Sequence, residues 1–152
     1  MADDITFYDE IESYCVQLST APGGSIDLHV STEAATFDVI VERWGGAREI
    51  VWKSFGNPGV ATPPPSDADS SGCGWPTSLS IATGASWRSG FYLVTVAAAD
   101  AEPGRDVSYS GFVVTGNPDD RASAVLMLST NTWNAYNTWG GKSLYTGGKQ
   151  VS

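Results

Sequence analysis

Residues 36–43 read TFDVIVER and residues 90–98 read GFYLVTVAA. In the first, Phe37, Val39 and Val41 alternate with Asp38 and Glu42, and in the second Tyr92, Val94 and Val96 repeat the same spacing. A period of two is the signature of a strand with one face on a core and the other toward water. Shorter alternating or β-branched runs at 14–19, 25–31, 49–54, 78–82 and 107–115 extend the pattern to about seven strands. Helical periodicity is confined to a brief stretch near residues 9–14. About seven short strands with turn residues between them predict a two-sheet, immunoglobulin-like antiparallel β-sandwich over residues 1–117.

The breaks have backbone causes. Ala21, Pro22, Gly23 and Gly24 supply fixed and positive backbone angles, as do Glu102, Pro103, Gly104 and Arg105, and each set is read as a hairpin or sheet-crossing turn. Trp87 and Tyr92 flank the start of the most apolar strand. A tyrosine there ties an inter-sheet corner through its hydroxyl in immunoglobulin-like domains, so both residues are read as structural. Residues 56–76, with Pro63, Pro64 and Pro65 and a Ser/Asp/Gly run, are expected to form a loop over one edge, anchored at its far end by Trp75.

Composition narrows the function classes. The chain has 152 residues, 41% of them apolar, enough for one compact core without metal or disulfide staples. Seventeen acidic residues against 8 basic ones give a net charge of −9, which repels phosphate backbones and anionic lipid, and no Lys/Arg cluster offsets it locally. No nucleic-acid partner is expected. No stretch approaches the ~20 apolar residues of a membrane span, and the start, MADDITFYDEIE, is acidic where an export leader is basic and then apolar. No membrane partner is therefore expected, and the cytoplasm is the default compartment.

Cys15 and Cys73 are too few for a disulfide framework, lie in no CxxC or Cys/His cluster, and are read as reduced structural residues. His29, the one histidine, lies in SIDLHVST opposite Ile26, Leu28 and Val30, so it is expected on the solvent side of its strand. One histidine cannot build a Ser/His/Asp or Cys/His centre within the chain.

The pattern changes in residues 118–152. After a linker, Ala124, Val125, Leu126, Met127 and Leu128 form a continuous apolar run, which predicts a strand buried on both faces, the start of an α/β domain. Residues 129–145, STNTWNAYNTWGGKSLY, then place Trp133, Tyr136, Trp139 and Tyr145 in a Gly- and Asn-rich segment at that strand's carboxyl end. Rings at such spacing call for a neighbouring surface, a ligand or more protein.

IESYCVQLSTAPGGSIDLHVST, SWRSGFYLVTV and LSTNTWNAYNTWGGKSLY follow one another in this chain as landmarks do in proteins related to the large (beta) subunit of N,N-dimethylformamidase. The resemblance runs from about Ile11 onward, and the last motif is its specific part. It implies a β-sandwich ahead of a larger α/β domain with a glutamine-amidotransferase-like fold, in an amidohydrolase that converts a formamide to formate and an amine. It also implies an iron held by two tyrosines and a glutamate. Phenolates are hard anionic donors, and a trivalent metal favours deprotonation of a phenol whose ordinary pKa is about 10. Such a metal polarises an amide carbonyl and activates water.

Carried over, the resemblance makes Tyr136 the counterpart of one metal tyrosine and Tyr145 a looser match; Tyr136, like Trp133 and Trp139, also reads as a packing aromatic. No glutamate follows Glu102, so the carboxylate has no counterpart, no catalytic residue is assigned, and the isolated chain is expected to need no cofactor. Three functions fit. The chain is a sandwich and catalytic-domain stub, a fragment or short form that is inactive alone. Alternatively it is a carbohydrate-binding sandwich, with Trp133, Trp139 and Trp75 stacking on sugar rings. Or it is an assembly protein, a homo-oligomer or a subunit whose partner chain covers residues 121–152.

Overall fold

The computed structural model describes residues 11–99, 106–116, 124–125, 127–137 and 143–145. The strands are β1 Ile11–Cys15, β2 Ser19–Thr20, β3 Ser25–Thr32, β4 Thr36–Trp44, β5 Arg48–Pro58, β6 Leu79–Ala82, β7 Gly90–Ala98 and β8 Val107–Val114, and the helices are α1 Ala68–Ser71 and α2 Thr130–Tyr136. The chain falls into two compact units. Tyr8–Thr62 with Pro76–Asp120 carries all eight strands, and the other unit includes Pro63–Trp75 and the described residues beyond 123.

The strands form two sheets, β1-β3-β6 and β2-β8-β7-β4-β5. Every pairing is antiparallel except β2 with β8. This is the immunoglobulin-like sandwich that the alternation predicts. Phe37, Val39 and Val41 of β4 and Tyr92, Val94 and Val96 of β7 all face the core, where they meet Ile26, Leu28, Ile81, Phe112 and Val114. Removing each such side chain from water stabilises the fold by about 1.5–3 kcal/mol before chain entropy is counted.

Tyr92 holds the corner expected of it. Its ring is fully buried between Trp87, 5.0 Å away at 7°, and Phe112, 5.5 Å away at 9°. Its hydroxyl donates to the Arg88 carbonyl at 2.6 Å, tying β7 to the turn that leads into it. In antibody domains the second cysteine of the inter-sheet disulfide lies two residues beyond this tyrosine. Here that place is Val94, neither Cys15 nor Cys73 is in a disulfide, and hydrocarbon packing joins the sheets at this point.

The run expected as one strand over 14–19 is two. β1 pairs with β3 in one sheet, while β2 pairs with β8 in the other, and residues 16–18 make the crossing. Backbone bonds hold the crossing at both ends, from Val16 N–H to Asp27 O at 3.2 Å and from Val113 N–H to Leu18 O at 2.9 Å. The side chain of Gln17 lies between them, accepting from Asp27 N–H at 2.7 Å and donating to its carboxylate at 3.0 Å. Hydrogen bonds from Ser80 and then Gln17 lower the pKa of Asp27. Of the brief helical period expected near residues 9–14, residues 9 and 10 lie outside the described residues, and 11–14 are strand.

The Pro22–Gly23 turn crosses between sheets, with Gly23 at φ +81° and Gly24 N–H bonded to Ala21 O at 3.1 Å. The second predicted turn, at 102–105, lies outside the described residues. β5 runs farther than expected because a bulge opposite Asp38 is closed by side chains. Gly56, at φ +64°, donates its N–H to the Asp38 carboxylate at 2.8 Å, and Asn57 donates to Phe37 O at 3.1 Å. The loop beyond contains α1, and Trp75 at its far end is buried.

His29 corrects an expectation. It does face away from the core of its sandwich, but only 7% of it is exposed, and its ring stacks on Tyr14, its direct cross-strand partner, at 4.9 Å and 7°. Alternation fixes the face of a residue, whereas burial depends on what packs there.

Cys15 lies on the seam between the sheets, where Ser13 Oγ donates to Ser108 Oγ at 2.9 Å and Cys15 Sγ lies 3.4 Å from Ser110 Oγ. Burial pushes its thiol from 9.0 up to about 11, against the lowering effect of the Ser110 bond. Two outcomes are expected. Alkylation of Cys15 at pH 8, followed by mass spectrometry, should run about 100-fold slower than for an ordinary thiol, since two pKa units remove that much thiolate. Stability should also fall as pH rises from about 9 to 11, because the unfolded chain loses this proton first, costing ~2 kcal/mol by the upper end. Urea midpoints across that range, compared with Cys15→Ser, read the second effect.

Candidate functional site

The second unit contains the aromatic segment. Thr130–Tyr136 winds into α2, with Thr132 N–H bonded to Ser129 O and Asn137 N–H to Trp133 O, both at 3.0 Å. Trp133 and Tyr136, three residues apart, fall on neighbouring positions of one helix face. The chain then returns to the helix. Leu144 N–H donates to Ala135 O at 3.2 Å, and Tyr145 N–H to Ser143 Oγ at 3.2 Å, with Ser143 itself buried.

This return brings the two sequence-predicted metal tyrosines together. The Tyr136 and Tyr145 rings stack with centroids 4.7 Å apart and planes 24° from parallel. Both remain largely exposed, as does Trp133. Trp139, the other predicted ligand-binding tryptophan, lies outside the described residues, as do Gly140 and Gly141. The helix itself was not predicted, since Thr, Asn and Tyr have weak helix propensity and leave little periodic signal in seven residues.

The strand predicted over 124–128 is not formed among the described residues. Val125 is 95% exposed and Met127 is 87% exposed, and neither belongs to a sheet. A strand buried on both faces needs paired neighbours on each side. All eight strands of the described residues pair within the two sandwich sheets, and none of them pairs with residues 124, 125, 127 or 128. The apolar composition of this run is real, but its cover is not provided by the described chain.

The donor chemistry tests the iron expectation. Two phenols are hard oxygen donors of a kind suited to a trivalent ion. The set implied by the resemblance also needs a carboxylate, and the sequence has no glutamate after Glu102. Among the described residues there is no group of three or more His, Cys, Asp or Glu side chains able to hold a metal. The tyrosine pair therefore does not constitute that set by itself.

Residues 37–152 match the family described as N,N-dimethylformamidase beta subunit-like, C-terminal. The chain belongs to this family. The match starts at the first residues of β4 and runs through the aromatic segment, so it takes in both the larger part of the sandwich and the Tyr136–Tyr145 stack. A comparison with curated proteins gave no match. Among the described residues, no helix is long and apolar enough to cross a membrane.

Proposed function

We propose that this dimethylformamidase beta-subunit-like chain serves as an accessory sandwich and an opening catalytic-domain segment, and that it does not hydrolyse amides by itself. The observation that carries this reading is the exposure of Val125 and Met127 in an apolar run with no strand partner among the described residues. An apolar segment with free backbone groups gains most by adding to another sheet, where hydrogen bonds and side-chain burial are both satisfied. The exposed rings of Trp133, Tyr136 and Tyr145 extend the same apolar surface.

Iron enters this reading as a property of a completed protein. Tyr136 and Tyr145 would supply two donors there, and the third would come from outside residues 103–152, which contain no glutamate. The sugar-stacking alternative loses Trp75, whose buried ring offers no face to a ligand.

Self-association through residues 124–145 is the expected behaviour of the purified chain. Sedimentation equilibrium over a wide range of loading concentrations should show an average mass that rises above the monomer value with concentration. A monomer at every concentration would contradict the docking role assigned to this segment.

A further inference from the structure

The sandwich carries a cleft that the family reading does not use. It encloses about 310 Å³ where the end of β4, the start of β5 and the turn into β7 meet, and its lining includes Arg43, Glu49, Ile50, Trp87, Arg88 and Tyr92. The charge of this region runs against that of the protein. Although the chain carries −9 overall, Arg43, Arg48, Lys53 and Arg88 are the cationic side chains among the described residues, and all four lie on β4, β5 or the turn before β7.

Three of these cations differ in how their charge is met. Arg48 pairs with Glu42, and Arg88 pairs with Glu49 at 3.1 Å. Among the described residues Arg43 has no carboxylate partner. Its Nη2 donates to the neutral Ser89 carbonyl at 2.9 Å, and its Nε is buried with no hydrogen-bond acceptor. With its charge met by a neutral carbonyl, this guanidinium gains a charge-assisted hydrogen bond from an anion that reaches its Nη donors.

The position of Arg43 is fixed. A Cβ at Gly90, which has φ +150°, would lie 3.3 Å from Nη2, and a Cβ at Gly45 would lie 3.0 Å from Nη1. These two glycines let the planar head lie against the backbone. Tyr92 lies beside it, where the charge of Arg43 opposes the rise in the tyrosine pKa caused by burial. The Arg88–Glu49 pair, by contrast, is well exposed, with side chains 69% and 59% accessible. Such exposed pairs contribute little, so an incoming anion exchanges with Glu49 at small cost.

We propose that this cleft binds a small organic carboxylate, with Arg43 and Arg88 taking the carboxylate and the Trp87 indole flanking the body of the ligand. Two cations against one anion leave the lining with a single positive charge, suited to a monoanion, while Glu49 repels a phosphate dianion. The volume lies at the lower limit of small-molecule pockets, enough for a carboxylate with a short aliphatic or single-ring body. The indole, already stacked on Tyr92, offers a rigid apolar wall.

Titration of the ¹⁵N-labelled full chain with benzoate, followed by NMR, tests this. Saturable shifts are expected at Arg43, Arg88 and the Trp87 indole N–H, with affinity reduced at least about tenfold in R43Q and several-fold in the exposed-site variant R88Q. R48Q, which removes an arginine outside the cleft, should leave binding unchanged. Inorganic phosphate at the same concentration should give no saturable shift. The proposal is overturned if benzoate produces no saturable shift up to ~20 mM, or if R88Q, with its fold intact by the same spectra, binds benzoate as the parent does. Equal binding of phosphate and benzoate overturns the assigned ligand class.

Discussion

Replacing Tyr92 by alanine is expected to destabilise the sandwich by roughly 4 kcal/mol, in the range seen when a large buried aromatic is truncated. Tyr92 is fully buried, it forms the middle of the Trp87–Tyr92–Phe112 stack, and its hydroxyl closes the turn at Arg88. Alanine removes all three contributions and leaves a cavity between two rings. Phenylalanine keeps the stack and loses only the hydroxyl bond, so Tyr92→Phe should cost about 1–2 kcal/mol. Urea denaturation of the three proteins separates these terms. A domain with ~5–15 kcal/mol of total stability survives the second change comfortably and the first only marginally. Equal losses from the two substitutions would show that the stack contributes nothing and that the corner is the whole effect.

Placing charge on the unpaired apolar run should have the largest effect on association. Val125→Glu combined with Met127→Glu is expected to weaken self-association at least about 100-fold. Burying each native side chain at an interface stabilises it by roughly 1.5–3 kcal/mol, and burying an unpaired carboxylate instead is strongly unfavourable. Both positions are exposed in the chain itself, so its far-ultraviolet circular dichroism and urea midpoint should not change. Sedimentation of parent and variant under the same dilutions gives the ratio. If the variant associates as strongly as the parent, contact is made elsewhere and residues 124–128 are not the docking segment.

Much of the sandwich was legible because its two central strands declare their period. Phe37, Val39, Val41, Tyr92, Val94 and Val96 alternate without interruption, and each is buried. Tyr92 could be assigned to a corner because a tyrosine ahead of an apolar strand, with a Ser-Gly turn before it, has one geometry in this architecture. The crossing at residues 16–18 was not legible. It contains no proline or glycine, and backbone hydrogen bonds to Asp27 O and from Val113 N–H hold it, which no side-chain pattern reports. The same limit applies to His29, whose face follows from alternation but whose burial follows from what packs over it.

In the aromatic segment the residues were legible and their arrangement was not. Tyr136 and Tyr145 stand nine positions apart, and only the return of the chain from α2 to Ser143 brings their rings into a stack. The run at 124–128 shows a different limit. Its composition records an apolar environment, but a strand exists only through hydrogen-bonded neighbours, and among the described residues no strand pairs with it.

Formate release from N,N-dimethylformamide by the purified full chain, assayed with added iron, tests the central claim most directly. The account predicts no formate above the protein-free control, because the tyrosine pair lacks the carboxylate that would complete the set. Turnover that scales with protein and iron, and disappears in Tyr136→Phe, would contradict it and make this chain a self-sufficient amidohydrolase.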